Sequence, residues 1–246
     1  MADTHFGFRT VSQKEKTRLV KGVFSSVARR YDVMNDLMSG GIHRFWKDSL
    51  VRQMRARAGE RVLDLAGGTG DIAFRLAKLD EAPDIVVCDI NEEMVGVGRD
   101  RGIDRGLLDG IEWTVGNAEC LPFDDGVFDA CCIAFGLRNV TQPPVALGEI
   151  LRVLRPGGRF FCLEFSKVIL PGLDKFYDAY SFSILPKIGK FIARDEDSYR
   201  YLAESIRQFP DQEGLAAMMR RAGFRTVAYE SWSGGIVALH TGRAPA

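Results

Sequence analysis

No window of this 246-residue chain holds an uninterrupted apolar run of the ~18 residues that a membrane-spanning helix needs, so no segment is expected to cross a bilayer. The start, Met1-Ala2-Asp3-Thr4-His5-Phe6, lacks the basic cluster and apolar stretch of a secretory leader, and a cytoplasmic protein is expected. The five cysteines, at 88, 120, 131, 132 and 162, form no CxxC pair and lie mostly in apolar runs. They read as buried free thiols in a reducing compartment, which excludes a disulfide scaffold. Histidine is scarce, with three in the chain, and no His/Cys/Asp/Glu spacing suggests a metal site. Excess charge is missing as well: 33 Lys+Arg balance 33 Asp+Glu, so nucleic acid is not expected as a partner. Internal repeats and low-complexity linkers are absent.

What is present is an ordinary globular composition, 46% hydrophobic and 27% charged, long enough to bury one sizeable core. Residues Met1 to about Val11 read as a loose arm. From Ser12 the pattern turns helical, with Leu19, Val20, Val23, Phe24 and Val27 at helical spacing. A second helix is predicted over His43–Ala56, with Phe45, Trp46, Leu50 and Met54 as its apolar side. The link Arg30–His43 between them is read as a helix–helix packing joint, with a lid over a ligand as the alternative. The spacing places an N-terminal helical arm and cap in residues 1–58 and the main domain in residues 59–246.

Within the main domain, strand-like and helical stretches alternate. Strands are predicted at Val62–Leu65, Asp84–Ile90, Ile111–Gly116, Phe128–Phe135 and Arg159–Phe165, with helices between them. This order implies right-handed βαβ units and a mainly parallel sheet. A helical, aromatic-rich insertion at about 170–207 interrupts the alternation. After a helix capped by Asp211, Phe224–Trp232 and Ile236–Thr241 follow as two strands joined by Ser233-Gly234-Gly235, so the last strand should run antiparallel.

The stretch on which the rest depends is Val62-Leu63-Asp64-Leu65-Ala66-Gly67-Gly68-Thr69-Gly70-Asp71, a strand feeding a glycine-dense turn and a helix start. Gly68-x-Gly70-x-x-Ala73 fits a dinucleotide fingerprint, and Asp89 lies nineteen residues past Gly70, where an acid holds a ribose hydroxyl pair. That much leaves a dehydrogenase and an S-adenosylmethionine enzyme both open. Three features favour the sulfonium cofactor. Asp64 stands in the strand before the loop, where its charge would repel a diphosphate and attract a sulfonium or an ammonium. Asn117-Ala118-Glu119 follows the third strand, where an amide and a backbone N–H can read an adenine edge. Asp124-Asp125-Gly126-Val127-Phe128-Asp129 precedes the fourth strand as it does in methyltransferases. No Lys follows the loop, which excludes a Walker-type phosphate loop.

Val62–Gly70 resembles motif I of class I S-adenosylmethionine methyltransferases, and Asn117–Phe123 and Leu151–Gly158 resemble their later motifs. More specific are Tyr31-Asp32-Val33-Met34-Asn35-Asp36-Leu37-Met38-Ser39, Phe135-Gly136-Leu137-Arg138-Asn139-Val140 and Asp197–Ile206. With these the chain resembles the ubiquinone/menaquinone biosynthesis C-methyltransferase family over nearly its whole length. The resemblance implies a Rossmann-like α/β fold with a seven-stranded, mostly parallel sheet and a C-terminal antiparallel strand. It also implies transfer of a methyl group from S-adenosyl-L-methionine to a ring carbon of a polyprenylated quinol, demethylmenaquinol or 2-polyprenyl-6-methoxy-1,4-benzoquinol. Thr69, Asp89, Asn117 and Ala118 match the family's cofactor contacts; the residue reading adds Asp64, Gly68 and Gly70. Two departures stand out: Ala134 replaces a frequent Ser, and Ala66 replaces the first loop glycine, a change expected to be mild. An oxygen or small-molecule methyltransferase on the same fold, or a cofactor-binding scaffold for quinone synthesis, stays open as an alternative.

For that chemistry, Arg138 is expected to stabilise a quinol phenolate at the carboxyl edge of the sheet, with Asn139 orienting it and an ordered water taking the proton. The competing expectation is that Arg138 pairs with a carboxylate and braces the loop. His43 and Tyr199 are lesser candidates for the proton. In the insertion, Leu173, Phe176, Tyr177, Tyr180 and Ile184 recur at helical spacing, with Ile188, Phe191 and Ile192 beyond them. They read as a helix pair packed on the core, or as an isoprenoid channel in peripheral contact with the inner membrane face. A homodimer and a quinone-synthesis assembly also remain open.

Overall fold

Period-2 alternation along the apolar runs gives each strand two differently covered faces, and the fold follows from what covers them. A computed structural model describes residues 3–27, 35–36, 39–107, 109–170, 172 and 196–246. The expectations for Tyr31–Met34, for Leu37 and Met38, and for the stripe from Leu173 through Ile192 lie outside the described residues.

The chain opens with an antiparallel hairpin, β1 (Asp3–Phe6) and β2 (Arg9–Ser12), where a loose arm was expected. Gly7 makes its turn at φ 57, and a Cβ there would collide with the Glu204 side chain. Helix α1 (Gln13–Val27) follows, with Ser12 Oγ accepting from the Glu15 N–H at 3.3 Å as its cap. Helix α2 (Ile42–Met54) buries Trp46, Leu50 and Met54 as expected, but Phe45 is 64% exposed and His43 and Lys47 are buried instead.

The main sheet comprises β3 (Arg61–Leu65), β4 (Asp84–Asp89), β5 (Ile111–Val115), β6 (Phe128–Ala134), β7 (Leu154–Phe165), β8 (Arg225–Trp232) and β9 (Val237–Arg243), in the order β5-β4-β3-β6-β7-β9-β8. All pairings are parallel except those of β9, which is antiparallel to both β7 and β8. The expected seven strands and the reversed last strand are therefore present. β7 starts earlier than expected, at Leu154, and a register shift against β6 absorbs Arg155–Gly158.

Two apolar layers flank the sheet. On one face Val62, Val87, Cys132 and Leu163 pack against Trp46, Leu50 and Met54 of α2, Ile72, Ala73 and Leu76 of α3 (Asp71–Leu76), and Tyr199 and Leu202 of α6 (Glu196–Gln208). On the other, Leu63, Val86, Cys131 and Cys162 meet Leu147 and Ile150 of α5 (Pro143–Val153) and Leu215 and Met219 of α7 (Gln212–Ala222). Asp211 caps α7 through the Gly214 N–H at 2.9 Å, as expected, and Gly223 closes it at φ 109. Cysteines 88, 131, 132 and 162 are buried free thiols, and Cys120 is exposed. Among the described residues, no helix is long and apolar enough to cross a membrane.

After β3 the chain first adds β4 and β5 on one side and then crosses to β6 on the other. Such a switch of direction opens a crevice at the carboxyl ends of the strands.

Candidate functional site

The crevice is shaped by the turn after β3. Ala66 sits at φ 51, Gly68 at φ 57 and Gly70 at φ 81, three left-handed residues within five. Ala66, which replaces the first loop glycine, carries its side chain in that left-handed region. Its methyl occupies the space where a Cβ on Gly136 would fall, 2.6 Å away. Gly70 starts α3, and its missing side chain leaves room for the Trp113 indole.

Asp89, at the end of β4, joins this turn to the next helix. Its Oδ2 accepts from the Gly68 N–H at 2.9 Å and its Oδ1 from the Asn91 N–H at 2.8 Å. Burial pushes its pKa up, against the pull of those N–H donors and of Lys21. Asn91 caps α4 (Glu92–Asp104), as expected, by accepting from the Glu93 and Met94 N–H groups. Its Nδ2 donates to the Lys21 carbonyl at 3.2 Å and to Ser25 Oγ at 3.1 Å, which ties α4 to α1.

Helix α1 thereby roofs the crevice. Thr17, Val20, Lys21 and Phe24 line it from above, while Leu65, Ala66, Gly68, Asp89, Met94, Asn117, Ala118, Phe135 and Asn139 line the rest. The far end of the roof is fastened to the loop after β6. Lys16 Nζ donates to the Val140 carbonyl at 2.9 Å, and the Thr17 and Thr141 hydroxyls lie 3.1 Å apart. Glu119 holds the same loop by accepting from the Thr141 and Gln142 N–H groups at 2.9 and 3.0 Å. The sequence reading missed these α1 residues. Their spacing, 17-20-21-24, was a legible helical stripe, but nothing local told a core-facing stripe from a ligand-facing one.

Of the expected site residues, Gly68, Asp89, Asn117, Ala118 and Asn139 therefore share one cavity. Asp64, Thr69, Gly70 and Arg138 are not among its lining residues. Thr69 is buried and its hydroxyl takes Arg101 Nη1 at 3.1 Å. Asp64 follows the pleat of β3: Leu63 and Leu65 face the α5 and α7 layer, so Asp64 points under α3. There it is 1% exposed, accepts from the Ala73 N–H at 3.1 Å, and takes the Cys132 Sγ at 3.7 Å. Direct contact with a cofactor cation was expected, but the carboxylate instead anchors the N-terminus of the helix behind the loop.

Burial drives Asp64 up to about 7. Between the unfolded value of 3.8 and that folded value, the native chain holds a proton that the unfolded chain has lost. Stability should therefore fall as pH rises through this window. Asn keeps an acceptor for the Ala73 N–H, so Asp64→Asn should show a flatter stability profile between about pH 4 and pH 7 in urea melts. Equal losses in both proteins would refute this.

Arg138 is 7% exposed and donates through Nη1 to Glu164 Oε1 at 2.7 Å and to the Phe135 carbonyl at 2.5 Å. Glu164, 1% exposed at the end of β7, also accepts from the Arg138 and Phe165 N–H groups. This is the bracing arrangement, and the guanidinium does not face the cavity. Phe135, just before it, lies at φ 59, a strained conformation that these bonds hold in place. His43, with its pKa lowered to about 4 by burial, hydrogen-bonds Ser39 Oγ at 2.8 Å and lines a separate cleft with Arg44 and Asp71. Tyr199 is fully buried in the core.

Residues 9–244 match the ubiE/COQ5 methyltransferase family. The ubiquinone/menaquinone biosynthesis C-methyltransferase UbiE of Brucella canis is 55% identical over 240 residues, covering 96% of this chain and 89% of the relative. The protein of that name from Dinoroseobacter shibae is 53% identical over 239 residues, covering 97% and 96%. Among solved structures, a SAM-dependent methyltransferase from Thermotoga maritima matches with a TM-score of 0.66 at 19% identity, covering 92% of this chain and 99% of the other, a likeness of fold alone.

Proposed function

The chain belongs to the ubiE/COQ5 methyltransferase family, and from that premise we propose that it methylates a ring carbon of a polyprenylated quinol in menaquinone or ubiquinone biosynthesis, with S-adenosyl-L-methionine as donor. The observation that carries the cofactor assignment is the Asp89 carboxylate, set at the end of β4 against the Gly68 N–H and lining the roofed cavity. A carboxylate held there by two backbone donors keeps lone pairs for a ribose diol. Asn117 and Ala118, after β5, suit an adenine edge. Gly68 lets the backbone come close to the ligand, while Thr69, Gly70 and Asp64 fix the loop and helix behind it.

The bound cofactor supplies an electrophilic methyl group on a sulfonium. The chain's own residues position, shield and polarise. The α1 roof covers the cavity, so a ligand bound beneath it displaces water, which strengthens electrostatic interactions there. Asn139, on the loop after β6, offers an amide N–H to a quinol oxygen beside the cavity; Arg138 serves it by bracing that loop against Glu164. Alignment of carbon, methyl and sulfur accounts for most of the acceleration in this reading, in a range of roughly 7–11 kcal/mol for well-oriented reactants. Peripheral contact with the inner membrane face follows from the same reading, because a polyprenyl tail partitions into lipid. A quinone-synthesis assembly would hold the enzyme at that surface.

The test is transfer of an isotope-labelled methyl group from S-adenosylmethionine to demethylmenaquinol or the benzoquinol presented in detergent. The expected product carries the label on a ring carbon. Label on oxygen, or no transfer to either quinol, would overturn the proposal.

A further inference from the structure

We infer that Tyr201 is a positioning residue for methyl transfer, acting through the side-chain amide of Asn139. This rests on the reading above, in which a quinol oxygen meets Asn139 beside the cofactor.

An Asn side chain is nearly symmetric in shape, and its orientation is set by what its two ends meet. Here both ends are specified. Tyr201 donates its hydroxyl to Asn139 Oδ1 at 3.0 Å, and Asn139 Nδ2 points at the Phe135 carbonyl at 3.4 Å. A carbonyl can only accept, so a flipped amide would set oxygen against oxygen on that side. With one Nδ2 hydrogen directed to Phe135, the second is left for a ligand in the cavity that Asn139 lines. The amide is thus fixed as a donor to the ligand.

Tyr201 is itself held firmly. It lies on α6, 5% exposed, with its ring stacked on Phe6 of the hairpin at 4.1 Å and 13°. Glu204, on the same helix, accepts from the Phe8 N–H at 3.1 Å and clasps the hairpin a second time. Burial drives the Tyr201 pKa upward, so the phenol keeps its proton and stays a donor. On the backbone side, Asn139 follows the anchored Arg138 within one short turn, Leu137–Asn139. Segments far apart in sequence therefore converge on one amide, and they do so at the carboxyl edge of the sheet. A bare packing contact would not need the hydroxyl.

Tyr201→Phe removes the hydroxyl and keeps the ring and its stack. The expected result is a roughly 10-fold drop in kcat for quinol methylation, with the KM for S-adenosylmethionine within about twofold of wild type. In an Asn139→Ala background the same substitution should have no further effect. Undiminished kcat in Tyr201→Phe would overturn the inference. So would a loss confined to cofactor affinity, or effects of the two substitutions that multiply in the double variant. If wild type transfers no methyl group to either quinol, the substrate reading fails and this inference fails with it; an active wild type with an unaffected Tyr201→Phe sinks this inference alone.

Discussion

Arg138→Ala is expected to lose about 3–5 kcal/mol of stability, because it strands the Glu164 carboxylate inside the protein. For a chain of this size that corresponds to a melting temperature lower by roughly 6–20 °C. The size of the effect comes from desolvation. Both side chains are nearly inaccessible, so water cannot replace the lost guanidinium. The control is the double substitution Arg138→Met with Glu164→Gln, which removes both charges and keeps an acceptor for the Arg138 and Phe165 N–H groups; most of the lost stability should return. Calorimetry of the three proteins decides the matter. An Arg138→Ala protein that melts with the wild type but no longer methylates would show the guanidinium acting on substrate, and the bracing role would be wrong. The bracing role also predicts that activity falls with stability, since Asn139 rides on the same turn.

That pair shows where sequence reading reaches its limit. Arg138 and its position after the fourth main-sheet strand were legible; its partner, Glu164, was not, because the register of β6 against β7 decides which carboxylate it meets. Asp64 is similar. Its place before the glycine loop was visible in the sequence, but the side of the sheet it faces depends on the pleat, and the pleat turns it under α3. What the sequence carried well was local: glycine spacing at the turn, Asn91 and Asp211 as caps, and the apolar runs of seven strands. What it carried poorly was distant. The hairpin of residues 3–12 is short and has little apolar content of its own; it is ordered by Tyr201 and Glu204, about two hundred positions away. Tyr199 and Tyr201 make the same point from one helix. Two residues apart on α6 they point in nearly opposite directions, so one fills the core and the other reaches Asn139.

Asp89→Ala is expected to weaken S-adenosylmethionine binding by roughly two to four orders of magnitude, measured by isothermal titration. A ribose diol on a carboxylate makes two charge-assisted hydrogen bonds, each about 1.5–3 kcal/mol, and every 1.4 kcal/mol is about a factor of ten. Stability without cofactor should change far less. The Gly68 and Asn91 N–H groups that lose their acceptor stand at the cavity edge, where water can replace it. Asp89→Asn keeps one acceptor oxygen and loses the charge, so its affinity should fall between those of alanine and wild type. S-adenosylhomocysteine shares the ribose and lacks the sulfonium charge. The Asp89→Ala penalty should therefore be similar for both ligands if the carboxylate reads the diol, and larger for S-adenosylmethionine if it mainly senses the cation. NADH is the decisive competitor, since it offers Asp89 the same adenosine ribose and differs in everything beyond it. Wild type should bind NADH at least a hundredfold more weakly than S-adenosylmethionine. Comparable affinities for the two nucleotides would overturn the cofactor assignment, and an Asp89→Ala protein that binds S-adenosylmethionine within threefold of wild type would show that the cofactor is held by something other than the end of β4.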